Sequence, residues 1–307
     1  MKRFAFQLAL SLLFGAGTLA QQDPLVSQYM FNGLYLNPAY AGSHDYWSST
    51  LSYRNQWVRF DGAPETMIAS VDGPIPEKNM GLGFILMHDK IGVSRQNSAI
   101  ANYAYQLKLN KNDKLAFGIN AGVSQYSADL TKLTVWDQDQ VFQEDLTGRI
   151  IPRAGLGMYY FSKRYYVGLS VPTLLGYQKD YSFSVDLSKS SFLRRHYLLT
   201  GGYVFDLKRD FKLKPSVLLK YVVNTPLQAD FNVSIVYKDM IWIGSSFRTG
   251  DACVFLLEYQ PNKRFRIAYA YDQSFSKLRN YSNGSHEIML GIDFGRNLVK
   301  VKTPRYF

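Results

Sequence analysis

The residues able to do chemistry are few, and they are poorly spaced for it. The chain has four His (His44, His88, His196 and His286) and one Cys, Cys253. No HExxH occurs, and no His sits close to a second His or to a carboxylate set in a zinc-like spacing. A lone thiol excludes thiolate zinc sites and any intramolecular disulfide. The acidic run "WDQDQVFQED" gathers Asp137, Asp139, Glu144 and Asp145, oxygen donors of the kind Ca²⁺ takes. The next alternate position, however, is Val141, and the central Gly of a calcium loop is missing. A solvated acidic loop is expected there. "NGSHE" sets Ser285 beside His286, the right types for a nucleophile and its base, but neighbours on a strand point to opposite faces. No GxSxG, P-loop or dinucleotide fingerprint is present. "GLGFILMH" and "GLGMYYFS" pair Gly81 with Gly83 and Gly155 with Gly157 on one strand face, a bare patch suited to close backbone approach. No catalytic residue, metal or cofactor is expected, and the chain does not read as an enzyme.

The elements that carry these residues begin with a leader. "MKRFAFQLALSLLFGAGTLAQQD" has a basic start at Lys2 and Arg3, an apolar run from Phe4 to Phe14, and Thr18 and Ala20 at the small positions before Gln21. That is the pattern of a secretory signal peptide over 1–20. Without Lys2 and Arg3 the balance is 33 basic to 24 acidic residues, net +9, which favours acidic partners or anionic headgroups; export argues against nucleic acid. Tyr and Phe together number 43. Beyond the leader no apolar run is long enough for a helical span. Many aromatics, abundant Gly and average hydropathy coexist in one membrane architecture, the β-barrel, where only alternate residues face lipid.

Period two is visible throughout. In "KLAFGINAGVSQY" Leu115, Phe117, Ile119, Ala121 and Val123 alternate with small or polar residues. Phe265, Ile267, Tyr269 and Tyr271 do the same against Arg264, Arg266, Ala268 and Ala270, as do Ile288, Leu290, Ile292 and Phe294 against Glu287, Met289, Gly291 and Asp293. Fourteen strands are predicted: 46–57, 64–74, 80–91, 93–108, 113–126, 152–161, 164–172, 192–205, 211–224, 226–237, 240–249, 252–260, 263–272 and 284–295. Most have the length of a tilted membrane-crossing strand. The connections after even-numbered strands are short, polar and Lys-bearing ("PEKN", "NKND", "SK", "KRD", "KD", "PNK"), whereas the long ones, 127–151, 173–191 and 273–283, all follow odd-numbered strands. Sorting by parity is expected of short periplasmic turns and long outer loops, with both termini periplasmic. Lys220 and Lys238 break the pattern and require a lumen, interface or turn position. Trp242 and the Tyr at strand ends are candidates for interfacial girdles.

One stretch fits neither period. "QYMFNGLYLNPAYAGSHDYW", Gln28 to Trp47, is polar, aromatic and broken by Gly33, Pro38 and Gly42. Between Gln28 and Thr66 the chain carries four separated pieces: Gln28-Tyr29-Met30-Phe31-Asn32, Asn37-Pro38-Ala39-Tyr40-Ala41-Gly42, Tyr53-Arg54-Asn55-Gln56-Trp57 and Gly62-Ala63-Pro64-Glu65-Thr66. In order and spacing these resemble the start of the PorP/SprF family, outer-membrane barrels of type IX secretion and gliding in Bacteroidota; the departure is Gly33, where a Pro or a larger residue is expected. The resemblance implies partners: a secreted cargo protein read through its C-terminal domain, type IX translocon components, and outer-membrane lipid.

The expected organisation is therefore a leader (1–20), a plug or rim segment (21–45), an all-β transmembrane antiparallel barrel of about fourteen strands (46–296) and a basic tail (297–307). A monomer is expected. Fourteen strands enclose more space than wall side chains fill, so the lumen is water-filled or occupied. The aromatics of the segment would pack there while its Asn and Gln satisfy backbone groups. The residues singled out as plug or partner contacts are Gln28, Tyr29, Asn32, Asn37, Pro38, Gly42, Arg54, Gln56 and Trp57. Ser52, Arg54 and Gln56 share the face assigned to the lumen, with Tyr53, Asn55 and Trp57 opposite. The function expected is binding and export or surface attachment of a specific cargo; the alternatives are a passive porin or lipophile channel, and an adhesin barrel displaying its loops.

Overall fold

The computed structural model describes residues 24–132, 144–175, 195–223 and 225–295. The leader, Asp137, Asp139 and the basic tail lie outside them. Fourteen antiparallel strands form one closed wall: β1 Trp47–Asn55, β2 Glu65–Ile75, β3 Met80–Ile91, β4 Ser94–Lys108, β5 Lys114–Ala128, β6 Leu146–Phe161, β7 Tyr165–Leu175, β8 His196–Tyr203, β9 Phe211–Val222, β10 Gln228–Tyr237, β11 Ile241–Arg248, β12 Ala252–Tyr259, β13 Phe265–Ser274 and β14 Ser285–Phe294. β8 resumes past Val204 as Phe205–Asp206, which stays paired to β9. Each strand pairs with its neighbours in sequence, and β1 closes the ring on β14, from Trp47 opposite Phe294 to Asn55 opposite His286. Closure leaves no unpaired edge, which is the condition for strands to cross a bilayer.

The alternation decides which side is which. On β14 Ile288, Leu290 and Ile292 are each 48% exposed, while Glu287 and Asp293 are 1% and 0% exposed. A chain that buries its carboxylates and exposes its aliphatics is solvated by lipid outside, with its polar face inside. The same reversal holds on β5, where Phe117 and Ile119 face out and Asn120 faces in. Aromatic pairs collect where the strands meet the turns after even-numbered strands: Tyr165 stacks on Tyr203 and Trp47 on Phe294, while Tyr203 meets Phe205 and Phe211 meets Tyr237 at a tilt. Amphipathic rings favour that interfacial level.

The connections after even-numbered strands are all short and lie at one end of the wall; the long ones lie at the other, together with the tight β3–β4 and β11–β12 turns. Lys238 is a turn residue: it and Asp239 have φ of 53° and 55°, and the Met240 N–H donates to the Tyr237 carbonyl, a tight turn whose twist suits a hairpin. Lys220 is buried in the lumen. β6 begins at Leu146 rather than at 152. Gly148, with φ of 62°, and Pro152 hide its first part, as does a register shift against β5 between Tyr126 and Ala128. A second shift, between β6 and β7, uses Gly155, where a Cβ would strike the Pro172 carbonyl. Such bulges tolerate Pro and Gly that a regular ladder would not.

A charge on the outer wall should therefore be costly. Ile119→Arg is expected to destabilise the barrel by about 2–4 kcal/mol, measured by denaturant unfolding in lipid vesicles, whereas the apolar change Ile119→Val should cost clearly less.

Candidate functional site

Residues 24–46 lie inside the barrel. Backbone groups buried in a lumen need partners, and this segment supplies many locally through three single turns: Tyr29–Phe31, Gly33–Leu36 and Pro38–Tyr40. Successive short turns explain why it shows neither period. Asn37 caps the last, its Oδ1 accepting from the Ala39 N–H at 2.9 Å, with Pro38 at the first position. The Asn37 Nδ2 also donates to the carbonyls of Met158 at 2.9 Å and Leu169 at 3.3 Å, so one side chain joins the segment to β6 and β7. The Ser170 hydroxyl donates to the Leu36 carbonyl at 2.6 Å. Gly33 is explained by the ring of Tyr40, which a Cβ there would meet at 2.5 Å.

The wall admits the segment through its glycines. A Cβ at Gly81 would collide with the Ala41 carbonyl, one at Gly118 with the Ala39 backbone nitrogen, and one at Gly157 with Asn37. Gly83 seats Leu34 in the same way. Gly42 has φ of 66°, a left-handed conformation; its N–H donates to Asp72 at 3.1 Å and its carbonyl accepts from Gln106. Around this contact Leu34, Leu36, Ala39, Tyr40 and Ala41 pack with Ile68, Ile85, Met87, Ala104, Tyr159 and Leu218. A second cluster joins Phe31 to Val204, Val236, Met289 and Trp242. Trp242 is thus not part of an interfacial girdle: it is 5% exposed and meets Phe31 edge-on at 5.8 Å. Its parity on β11 is inward, and the occupied lumen gives it an apolar partner.

Toward the long-loop end the contact becomes ionic. Arg54 on β1 binds Asp272 of β13 at 2.7 Å and Glu287 of β14 at 3.2 Å. Arg248 on β11 binds Asp230 of β10 at 2.9 Å and approaches Asp272 at 3.7 Å. All five side chains are nearly inaccessible. Ser27 sits at their centre: its N–H donates to Glu287 at 2.7 Å, its hydroxyl donates to Asp272 at 2.6 Å, and it accepts from Arg54 at 2.9 Å. Gln28 adds a backbone donation to Glu287 and a side-chain donation to the Glu287 carbonyl. Asn232 on β10 donates to the Tyr29 hydroxyl at 2.5 Å. This network holds a peptide; its charges are committed to one another and to the segment.

The sequence-selected residues divide. Gln28, Tyr29, Asn32, Asn37, Pro38 and Gly42 are in the lumen segment, and Arg54 faces it. Gln56 and Trp57 do not join them. β1 ends at Asn55, so the alternation that put Gln56 beside Arg54 and Trp57 opposite stops short of both. The Gln56 N–H donates to the Pro64 carbonyl and the Trp57 N–H to the Ser285 hydroxyl, which fixes the β1–β2 loop at the long-loop rim. Ser285 is buried inward while His286 bonds Tyr269 on the outer wall. Of the acidic run, Asp145 accepts from the N–H and hydroxyl of Thr131, which hold its carboxyl below the usual range. Sequence reasoning misses Ser27, Asp230, Arg248, Asp272 and Glu287. A signal for the ionisable ones exists: they stand at the parity opposite the aliphatic and aromatic residues of their strands.

Removing one member should leave buried charge uncompensated. Arg54→Met is expected to cost about 3–5 kcal/mol in unfolding free energy. The triple change Arg54→Met, Asp272→Asn, Glu287→Gln should recover part of that loss, since unpaired carboxylates no longer remain.

The family model described as type IX secretion system membrane protein PorP/SprF matches residues 18–292. No curated protein matches. Among solved structures, the outer membrane protein Omp33 of Acinetobacter baumannii aligns over 81% of this chain and 97% of that one, at 8% identity and a TM-score of 0.45. A KdgM porin aligns over 81% and 99%, at 12% identity and 0.40. CdiB from Acinetobacter baumannii aligns over 82% and 60%, at 7% identity and 0.43. Likeness at that level carries no argument about activity. The family match spans nearly the whole wall and the segment inside it: the chain belongs to the PorP/SprF family of type IX secretion system membrane proteins.

Proposed function

We propose that this outer-membrane barrel binds a specific secreted protein and assists its export or surface attachment through the type IX system, acting by contact at its rims rather than by conducting solute. Family membership supports the secretion role. The occupied lumen carries the preference over a passive porin: a solute pore needs a wet path, and here Leu34, Ala39, Tyr40 and Ala41 fill the interior at 1%, 0%, 3% and 0% exposure.

The rims are what remains for partners. In this reading the leader is removed on export, the short-turn end faces the periplasm, and the long-loop end faces out. Every turn after an even-numbered strand carries an exposed lysine: Lys78, Lys111, Lys163, Lys208, Lys238 and Lys263. Some basic groups there are matched, as Arg164 with Asp206 and Lys212 with Asp239. The surplus favours an acidic translocon surface at that end. The cargo's C-terminal domain is the second partner in this reading.

Two measurements test it. Deleting the gene should remove one or a few large proteins from the surface and culture-fluid proteomes, and an unchanged secretome would sink the secretion reading. In planar bilayers the purified barrel should show no sustained ohmic conductance; a stable conducting state would instead favour the porin.

A further inference from the structure

Grooves on the outer wall differ in what caps them. One, of about 500 Å³, crosses β5 to β9 and is lined by residues such as Phe117, Leu156, Leu169, Tyr197 and Leu227, with no amide, imidazole or charged side chain. Any acyl chain satisfies it. Another, of about 540 Å³, crosses β1 to β6 near the long-loop end. Its relief follows from register: one outward row reads Leu51, Ala69, Leu86, Ala99 and Val123 across β1 to β5. Large and small residues alternate along it, so Ala69 and Ala99 floor the groove between taller neighbours.

The next outward row toward the long-loop end changes character. His88, Asn97 and Gln125 follow one another across β3, β4 and β5, and all three line the groove. The ring N–H of His88 donates to the Asn97 Oδ1 at 2.7 Å. Among the described residues the Asn97 Nδ2 and the Gln125 amide have no hydrogen-bond partner. Toward the short-turn end the outward residues of these strands are apolar or aromatic, as Leu82, Phe84 and Leu86 on β3. The polar row therefore marks the level where hydrocarbon gives way to headgroups. One outward step further, roughly 7 Å along the strands, Lys90 and Arg95 lie directly opposite each other, a placement in which like charges repel. Arg95 is compensated by Asp129 at 2.6 Å. Lys90 is exposed and has no ion pair among the described residues, even with Glu65 facing it across the β2–β3 ladder.

We propose that this groove binds a phosphorylated lipid of the leaflet at the long-loop end. An acyl chain lies over Ala99 between Leu86 and Val123, and the headgroup phosphate accepts from the Lys90 ammonium, the Asn97 Nδ2 and the Gln125 amide. The occupant follows from the wall itself: the groove is continuous with a surface that lipid already solvates, and its open end carries positive charge and free donors. A phosphate supplies the missing anion beside Lys90 and accepts charge-assisted hydrogen bonds there. A lipid without phosphate meets neither need. The inference rests on the outer-membrane barrel, not on the cargo reading.

The test uses the full barrel in detergent, mixed with dioleoyl phosphatidic acid or with dioleoylglycerol, which has the same chains and no phosphate. Retained lipid is read by native mass spectrometry. Wild type should keep phosphatidic acid and shed dioleoylglycerol. Lys90→Gln should weaken retention about five-fold. Ala99→Phe fills the groove from a lipid-facing position and should abolish retention, with the β-sheet circular dichroism unchanged. Arg279→Gln removes an exposed cation of the β13–β14 loop outside the groove and should bind as wild type does. The proposal is overturned if dioleoylglycerol is kept as well as phosphatidic acid, if Lys90→Gln and Ala99→Phe retain lipid as wild type does, or if Arg279→Gln loses as much as Lys90→Gln. A second copy of the barrel seated there instead, and lost in Ala99→Phe, would overturn it too. Lipid retention is read without secretion, so failure here and failure of the cargo role are separate results.

Discussion

A fourteen-stranded wall encloses more room than its own side chains can fill, and the structure depends on how that room is used. The strands must present apolar residues to lipid, so polar and charged ones collect inside, where they need partners. Residues 24–46 supply them. Ser27 stands among Arg54, Arg248, Asp272 and Glu287, five residues brought to one point from the lumen segment and β1, β11, β13 and β14. Without that strand of chain the lumen would be a water-filled cavity lined by an acidic and basic cluster. With it, the cluster becomes a peptide clamp.

The clamp and the glycine wall act together. Close approach of Ala39 and Ala41 to Gly118 and Gly81 lets the segment bury Leu34, Leu36 and Phe31, each worth about 1.5–3 kcal/mol. The ionic end fixes where the chain lies, since buried charges tolerate little misplacement. Because segment and wall belong to one chain, the association is intramolecular and its effective concentration is high. For a type IX secretion system membrane protein, a self-filled lumen leaves the rims rather than the bore for contact. Among the described residues, the basic turns after even-numbered strands and the β1–β2 loop, fixed through Trp57 and Ser285, are surfaces left exposed.

The barrel is legible in the sequence because lipid imposes a strict rule on every second residue. Phe117 and Ile119, or Ile288 and Leu290, can be read without knowing their neighbours. β6 reads short because Gly148 and Pro152 belong to a bulged region whose regularity exists only against β5. Trp242 misleads because a large aromatic at a strand end looks the same whether its partner is lipid or Phe31. The site is least legible. The Arg54–Asp272 pair joins residues 218 positions apart, and only the strand order and register bring them together. Paired glycines signal close packing, but not that Asn37 and Ala41 are what packs there.

The account's central claim is that the protein's own N-terminal segment occupies the lumen in the membrane. Cross-linking tests it most directly: Leu34→Cys with Gly83→Cys, in a Cys253→Ser background, in intact cells. A Cβ at Gly83 lies 2.8 Å from Leu34 Cδ1, so oxidation is expected to join the two positions nearly completely, read as a linked peptide pair by mass spectrometry, while a control pair placing the second Cys at the outward Phe84 stays unlinked. Free thiols at both positions of the Leu34–Gly83 pair in a correctly assembled barrel would contradict it.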